Sequence, residues 1–253
     1  LGPLTHNPQV VPDLESKGAL TCEDVDEVPA GYEVIIRSHG VPSSVYEKIS
    51  TRGLAYHDAT CPFVAKIHKL AEQAGKKGAL LLVAGDANHP EVQGIVGHAT
   101  GPVRVFADLQ GLQALLPELL QQESIHVVAQ TTFRVESWES CKAFLKKECT
   151  KAEIFDTICN ATWARQQEAE DLSQKCDRMV VIGGHHSSNT QKLLQVAARH
   201  TKAINVETAD ELDPAWLTGA GTVGVTAGAS TPSSIIEEVL NSISQEIRDD
   251  MSF

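Results

Sequence analysis

The sequence lacks any apolar run close to eighteen residues, so it predicts no membrane span. Basic side chains are few, with 21 Lys and Arg against 33 Asp and Glu, and the net charge of -12 argues against a nucleic-acid surface. The six cysteines include no CxxC pair, which argues against a disulfide framework and a compact zinc site and favours a reducing cytosol. The composition, with 42% hydrophobic residues, is typical of a globular protein without a membrane anchor.

One stretch, residues 54–68, carries the strongest local signal. Residues 54–56 predict a strand, Pro62 suits the first position of a helix, and apolar residues then recur at helical spacing. Cys61 is therefore predicted to lie at a helix N-terminus. The unsatisfied N–H groups and the positive dipole end there favour the thiolate, which is the form that binds metals or attacks electrophiles.

The pattern returns at Cys159, and in both copies an Asp precedes the Cys by three residues and a helical pattern follows. Two copies predict one cysteine per structural repeat. A nucleophile, a metal site and a redox cluster all use cysteine, but nucleophilic catalysis ordinarily needs one cysteine with a positioned base. The repeat therefore favours an iron-sulfur cluster, which can gather widely separated cysteines.

The four other cysteines lie in polar or helical sequence without neighbouring motif residues, and we interpret them as structural. They are Cys22, Cys141, Cys149 and Cys176.

Predicted strands alternate with predicted helices along the chain, with connections too long for hairpins, which indicates an α/β fold with parallel sheets. The predicted strands are 34–36, 54–56, 79–84, 103–106, 125–129, 179–182, 203–206 and 222–225, and a further strand is expected before residue 10. The predicted helices are 10–17, 43–52, one from Pro62, 136–147, 161–175, 190–200 and one from Pro232.

Polar clusters follow the carboxyl ends of these strands, where α/β sheets bind their ligands. Taken alone, each short motif is more often a turn or a helix cap than a functional site. Their joint placement at successive strand ends favours a function. The candidate residues are His39, Cys61, His89, Glu91, Thr131, Thr132, Cys159, Ser187, Ser188, Asn189 and Ser230.

The donors in these clusters are hydroxyls, imidazoles, one amide and backbone N–H groups freed by glycine, and this set suits a phosphate or diphosphate. Glu91 is the sole carboxylate among them. It is two residues from His89, so it is the natural proton donor or acceptor. The alternative is a structural glutamate that interacts with a helix dipole.

The motifs, in order, resemble the 4-hydroxy-3-methylbut-2-enyl diphosphate reductase family, also called LytB or IspH. They are LGPLTHNPQVV, SHGV, DATCPFVAKIH, NHPEVQG, QTTF, DTICNAT, SSNTQKL and GVTAGAST. The resemblance spans nearly the whole chain.

This resemblance implies three similar α/β lobes with parallel sheets around a central pocket that holds a 4Fe-4S cluster and the substrate. We expect the lobes to span residues 1–58, 59–156 and 157–253. The matching residues are Cys61 and Cys159 as two of three cluster ligands, His6, His39 and His89 as pocket histidines, Glu91 as proton donor, Thr131 as the hydroxyl that helps orient the substrate alcohol, and Ser187, Ser188, Asn189 and Ser230 as diphosphate anchors.

The implied reaction is the reductive loss of the substrate's allylic hydroxyl, with two electrons and two protons, to give the isoprenoid precursors isopentenyl and dimethylallyl diphosphate. The implied electron donor is a ferredoxin or a flavodoxin. The cytoplasm is the compartment that the cysteine usage predicts.

The sequence departs from the family pattern in two places. His185 and His186 stand where the family commonly has a basic residue and Asn. The family's first cluster cysteine precedes the GPLxHN segment, and the sequence given begins at Leu1. We therefore expect the natural protein to extend upstream by a strand and a helix and to carry the third cysteine there.

Two alternatives stay open on the sequence alone. One is a diphosphate-binding protein derived from the family that holds no working cluster, which iron content and a visible absorption band would distinguish. The other is a different three-lobed cluster enzyme such as quinolinate synthase, against which the NHPE, SSN and TAGAS motifs argue.

Overall fold

A computed structural model describes residues 1–4 and 10–250 of the chain, with side chains to residue 246. Its strands are β1 Val34–Ile36, β2 Tyr56–Asp58, β3 Leu80–Ala84, β4 Val103–Phe106, β5 Ile125–Ala129, β6 Ala152–Ile154, β7 Arg178–Ile182, β8 Lys202–Val206 and β9 Val223–Ala227. Its helices are α1 Val10–Ser16, α2 Ser43–Thr51, α3 Pro62–Lys76, α4 Pro90–Gly97, α5 Leu109–Leu119, α6 Val135–Glu148, α7 Asn160–Ser173, α8 Ser188–Ala197, α9 Pro214–Leu217 and α10 Ser233–Asp250, with 3₁₀ turns at Val25–Glu27 and Ala209–Glu211.

The strands form three separate sheets, with orders β1-β2, β4-β3-β5-β6 and β8-β7-β9. Every pairing within them is parallel, so the predicted α/β fold with parallel sheets is confirmed. None of the described helices is long and apolar enough to cross a membrane.

The chain divides into two compact units. The first contains residues 1–4 and 18–159 and therefore the first two sheets; the second contains residues 10–17 and 160–250 and the third sheet. The division into lobes at 1–58, 59–156 and 157–253, and the arrangement of those lobes around a central pocket, stay predictions.

Strands β3 and β5 form the centre of the first unit because apolar residues cover both of their faces. Leu80 and Leu82 point into a core shared with α5 and α6, whereas Leu81 and Val83 point into a second core shared with α3 and α4. Both strands are completely buried. Their carboxyl ends are therefore held rigidly, and the loops that carry functional side chains start from them.

The strand predicted at residues 54–56 is wrong by two residues, since β2 covers Tyr56–Asp58. Leu54 instead closes helix α2: its N–H donates to Ile49 O at 3.2 Å, and the Gly53 N–H donates to Ser50 O at 3.0 Å. Gly53 has a positive φ of 63°, which such a helix end requires. The apolar character of Leu54 therefore serves the helix end, and the strand begins after it.

Four elements have no counterpart among the predicted helices and strands: α4, α5, α9 and β6. Helix α5 contains both Gly111 and Pro117, which weaken its helical signal, and its N-cap is Asp108, whose side chain accepts from Gly111 N at 2.8 Å. Strand β6 has only three residues and pairs at the sheet edge with β5. The strand expected before residue 10 is not formed by residues 1–4, and residues 5–9 lie outside the described part of the chain.

Candidate active site

The central feature of the first unit's site is a buried carboxyl at the ends of two neighbouring strands. Helix α4, which follows β3, carries Glu91, and the loop after β5 carries Thr131. Strands β3 and β5 pair in register from Leu80 to Ala84, so both loops leave the sheet at the same edge. The Gln130 N–H donates to Ala84 O at 2.8 Å and fixes the start of the second loop against the first.

Glu91 binds Thr131 through both carboxyl oxygens. The Thr131 backbone N–H donates to Oε1 at 2.6 Å, and its hydroxyl donates to Oε2 at 2.7 Å. The Glu91 residue is only 2% exposed, and burial raises its pKa to about 7, against the opposing effect of the two bonds from Thr131. Near neutral pH the carboxyl can therefore either give or take a proton.

His89 fixes the helix that carries this carboxyl. It is the N-cap of α4, and its Nδ1 accepts from the Glu91 backbone N–H at 3.1 Å. The acceptor role of Nδ1 places the ring proton of neutral His89 on Nε2. The His39 ring, in the turn after β1, lies edge-on to the His89 ring with 5.4 Å between centroids. The two predicted pocket histidines of the described chain therefore lie together.

Cys61 lies beside the turn that carries His39. It is the N-cap of α3 with Pro62 at the first helical position, as predicted. Its backbone N–H donates to Ser38 O at 3.0 Å, which joins the cysteine turn to the residue before His39. The cysteine is half-buried, so its thiol keeps some access to the surface.

Cys159 is held in a similar way, by a backbone bond to the residue that contacts the Glu91 carboxyl. Its backbone N–H donates to Thr131 O at 3.0 Å, and it too is half-buried. Direct contacts therefore run without a break between the two cysteines within the first unit. Their order is Cys61, Ser38, His39, His89, Glu91, Thr131 and Cys159.

The Asp that precedes each of these cysteines holds the cysteine turn. Asp58 accepts from Thr60 N at 2.9 Å, and Asp156 accepts from Trp138 Nε1 at 2.7 Å and from Lys142 Nζ at 2.9 Å. The Asp of the DxxC spacing therefore closes a turn in the first copy and binds helix α6 in the second.

The first unit offers two cysteine thiols that are suitable ligands for an iron-sulfur cluster. Thiolates are the usual ligands of such clusters, and Cys61 and Cys159 are half-buried thiols at the two ends of one continuous set of contacts. Cys141 and Cys149 instead belong to the hydrophobic core, where burial raises the pKa of Cys141 to about 11 and also raises that of Cys149.

Cys22 and Cys176 pack against separate hydrophobic clusters. These two cysteines, like Cys141 and Cys149, therefore pack against apolar side chains, as expected of structural cysteines.

The second unit has its own polar cluster, at the N-terminus of α8. Ser187 is the N-cap, and its hydroxyl accepts from Thr190 N at 3.4 Å. Ser188 follows at the first helical position. Asn189 is only 6% exposed, and its amide N and O have no hydrogen-bond partner among the described residues. A buried, unpaired amide at a helix N-terminus is suited to a ligand with negative charge and several acceptor oxygens.

Ser230 lies on the neighbouring loop of the same sheet. Strands β7 and β9 pair side by side, with Ile182 opposite Ala227, so the loops after them leave the same edge. Close packing fixes both loops: a Cβ on Gly183 would meet Thr190 Oγ1 at 2.6 Å, and one on Gly228 would collide with the same oxygen. The four predicted anchors are therefore at adjacent strand ends of one unit.

Two supporting residues lack a prediction from the sequence. The His68 side chain, on α3, packs beneath Gly40 in the turn that carries His39. The Thr157 hydroxyl donates to Ala129 O at 2.7 Å and accepts from Ala129 N at 2.8 Å, which fixes the second cysteine turn to the end of β5. Both belong to the cysteine motifs, and that placement is the signal that could have identified them. Of the predicted site residues, His6 lies outside the described residues.

Comparison with known proteins gives one consistent result. Residues 1–244 match the family described as LytB protein. Among relatives, the 4-hydroxy-3-methylbut-2-enyl diphosphate reductases of Geobacter sulfurreducens and Wolinella succinogenes are 44% and 41% identical to this chain. These matches cover 97% and 96% of this chain and 86% and 87% of theirs.

Two solved structures are also similar. The E-1-hydroxy-2-methyl-but-2-enyl-4-diphosphate reductase of Plasmodium falciparum has a TM-score of 0.88 at 28% identity, over 95% of this chain and 76% of that one. A structure of (E)-4-hydroxy-3-methyl-but-2-enyl diphosphate reductase, described as the terminal enzyme of the non-mevalonate pathway, has a TM-score of 0.66 at 36% identity, over 97% and 87%. Because the family match and the relatives each span most of the sequence, the chain belongs to the LytB protein family.

Proposed function

We propose that the chain is a reductase that converts 4-hydroxy-3-methylbut-2-enyl diphosphate to isopentenyl and dimethylallyl diphosphate. The observation that carries this proposal is the Glu91 carboxyl, buried against Thr131 on a continuous set of contacts between two half-buried cysteines. The names of the relatives supply the substrate, and the site supplies groups that such a reaction needs. The reaction breaks the allylic C–O bond, consumes two electrons and two protons, and releases the hydroxyl as water.

Cys61 and Cys159 would supply two thiolate ligands to a 4Fe-4S cluster. When bound, such a cluster supplies electrons one at a time and offers an iron to an oxygen ligand. The half-buried position of both cysteines supports this assignment, because thiols in the hydrophobic core, such as Cys141, have a raised pKa and are poor metal ligands.

Glu91 would be the acid that delivers protons. With a pKa of about 7 it is protonated in a substantial fraction of molecules at neutral pH. A protonated Glu91 would donate to the Thr131 hydroxyl at the same 2.7 Å contact, which frees the hydroxyl proton for another acceptor. The hydroxyl thus passes a proton onward and orients the alcohol that receives it, while His89 holds the start of α4.

The second unit would bind the diphosphate. Ser187, Ser188 and Ser230 offer hydroxyls, the α8 N-terminus offers N–H groups, and the Asn189 amide has donors with no partner in the described chain. His39 and His89, which lie together in the first unit, would each offer a ring N–H to a substrate, with the His89 proton on Nε2.

The reducing partner would be a small electron-transfer protein such as a ferredoxin or a flavodoxin, because the reaction takes up two electrons and the GxGxxG match at residues 219–224 leads into strand β9 instead of opening a helix, as a nicotinamide-binding fingerprint does. We place the protein in the cytoplasm, a reducing compartment compatible with the six free cysteines.

The proposal is tested on the protein expressed from its full natural gene, by anaerobic reconstitution with iron and sulfide followed by turnover of 4-hydroxy-3-methylbut-2-enyl diphosphate with a chemical reductant. We expect a brown protein with a visible absorption band and both products. Cys61→Ser and Cys159→Ser should each lose iron, the band and turnover together.

Cys22→Ser is the matched control, because Cys22 belongs to the same unit but packs against a hydrophobic cluster, and it should keep all three properties. Full iron content and turnover in Cys61→Ser would refute the cluster assignment. Diphosphate binding without iron in the reconstituted parent protein would instead indicate a binding protein of the same family.

A further inference from the structure

Among its described residues, the second unit contains a group of three side chains that could ligate a metal ion. His185 is in the loop between β7 and α8, Glu207 follows β8, and Glu211 is in the 3₁₀ turn Ala209–Glu211. One ligand atom from each residue lies within 4.8 Å of the other two. The His185 backbone N–H also donates to Glu207 Oε1 at 2.6 Å, and the Glu207 N–H donates to Glu211 Oε2 at 2.9 Å. The three side chains are thus held at one point of the surface.

Asn205 fixes a proton on the Nδ1 nitrogen of His185. Its Nδ2 donates to Val181 O at 3.0 Å and to Gly183 O at 2.8 Å, and its Oδ1 accepts from Gln191 Nε2 at 3.1 Å. The amide therefore has one orientation, and the Oδ1 that lies 2.8 Å from His185 Nδ1 is an acceptor. The Nδ1 of His185 must carry a proton to make this contact.

The other ring nitrogen then meets a carboxylate. His185 Nε2 lies 3.0 Å from Glu211 Oε2, and in the neutral ring this nitrogen has a lone pair. Two acceptors at this distance need a cation between them, which is either a proton or a metal ion. Although partial burial opposes it, the bond to Asn205 and the carboxylates of Glu211 and Glu207 raise the pKa of His185, so the proton is the competitor of any metal.

We propose that His185, Glu207 and Glu211 form a binding site for a divalent transition metal of the zinc class. One imidazole and two carboxylates are a suitable ligand set for such an ion, with at least one position left for water. Asn205 has the role that a backbone carbonyl or carboxylate has behind most metal-bound histidines, because it holds the ring and fixes its tautomer.

The bound ion would join two loops of the second unit. His185 is two residues before Ser187, whereas both glutamates lie beyond β8, so the ion would restrain the start of α8 from a neighbouring strand. This restraint is independent of the cysteine ligands and does not rest on the proposed reductase activity.

The test is isothermal titration of Zn²⁺ into the full chain after chelator treatment. The parent, His185→Gln and Glu211→Gln are compared at one pH, and any zinc bound by thiols is common to all three and cancels in the comparison. We expect both variants to lose at least tenfold in affinity for one zinc ion per chain. The three residues are largely at the surface, and circular dichroism checks that each variant is folded.

His57→Gln is the matched control. His57 is an exposed histidine whose Nε2 lies 2.7 Å from Glu33 Oε2, and it belongs to no three-residue ligand group among the described residues. It should bind zinc as the parent does. A loss below tenfold in His185→Gln or Glu211→Gln, or an equal loss in His57→Gln, would overturn the site.

Discussion

The substitution Glu91→Gln should stabilise the protein at alkaline pH while it abolishes turnover. In the folded chain the pKa of Glu91 is about 7, compared with 4.5 for an ordinary glutamate. At a pH between these two values, Glu91 therefore still holds its proton in the folded state but has lost it in the unfolded state. The free energy of unfolding falls as pH rises through this range. Glutamine carries no charge at any pH and keeps acceptor and donor atoms opposite Thr131, so the variant escapes this loss.

The magnitude follows from the two pKa values. At 1.36 kcal/mol per pKa unit, the difference in unfolding free energy between Glu91→Gln and the parent should grow by about 2.5 kcal/mol from pH 5 to pH 8.5. Turnover should collapse at every pH, because an amide cannot act as an acid, while binding of inorganic diphosphate should be kept.

Urea denaturation of the parent and the variant at pH 5 and pH 8.5 measures the effect on stability. Product formation measures the effect on turnover. Glu47→Gln serves as the control for loss of a carboxylate at the surface, because Glu47 is exposed on α2. A stability difference of the same size at both pH values would refute the assignment of a buried, proton-holding carboxyl.

Three further substitutions test the supporting contacts. Thr131→Val removes a hydroxyl that lowers the pKa of Glu91, so the pH-dependent loss of stability should move to higher pH in urea denaturation. Asn189→Ala should weaken inorganic diphosphate binding in calorimetry at fixed salt by about 1.5 to 3 kcal/mol, roughly 10 to 150-fold; unchanged affinity would exclude the anchor role. Gly40→Ala places a Cβ at a φ of 71° against the α3 histidine and should cost about 1 to 3 kcal/mol in thermal unfolding. Gly53→Ala, at a φ of 63° with nothing within 4 Å, should cost less.

Much of the fold could be predicted because the strongest signals are local. The continuous apolar runs at β3 and β5 are sufficient to identify strands buried on both faces, and these strands form the centre of the first unit. The error at residues 54–56 arose where one apolar residue could serve either a strand or a helix end. Leu54 closes α2, and only the hydrogen bonds between the chain segments distinguish the two roles.

The candidate site could be predicted as a set of residues but not as a set of contacts. The rule that ligands bind beyond the carboxyl ends of parallel strands brings Glu91 and Thr131 into the same region. It does not give the two-point contact between them, because that contact depends on how the loop after β5 turns back at Gln130. The raised pKa of Glu91 follows from burial and is opposed by this contact, so it too required the structure.

The histidine and two glutamates of the proposed metal site show where prediction from sequence stops. His185 and Glu211 lie on different loops, and neither neighbourhood has the spacing of a metal motif. They meet because β7 and β8 pair with Val181 opposite Asn205, which brings Asn205 beneath the loop that His185 occupies. The same pairing lets the Asn205 amide bond two carbonyls and so present its oxygen to the ring. Strand register, rather than sequence proximity, therefore creates both the ligand set and the tautomer that would make it bind a cation.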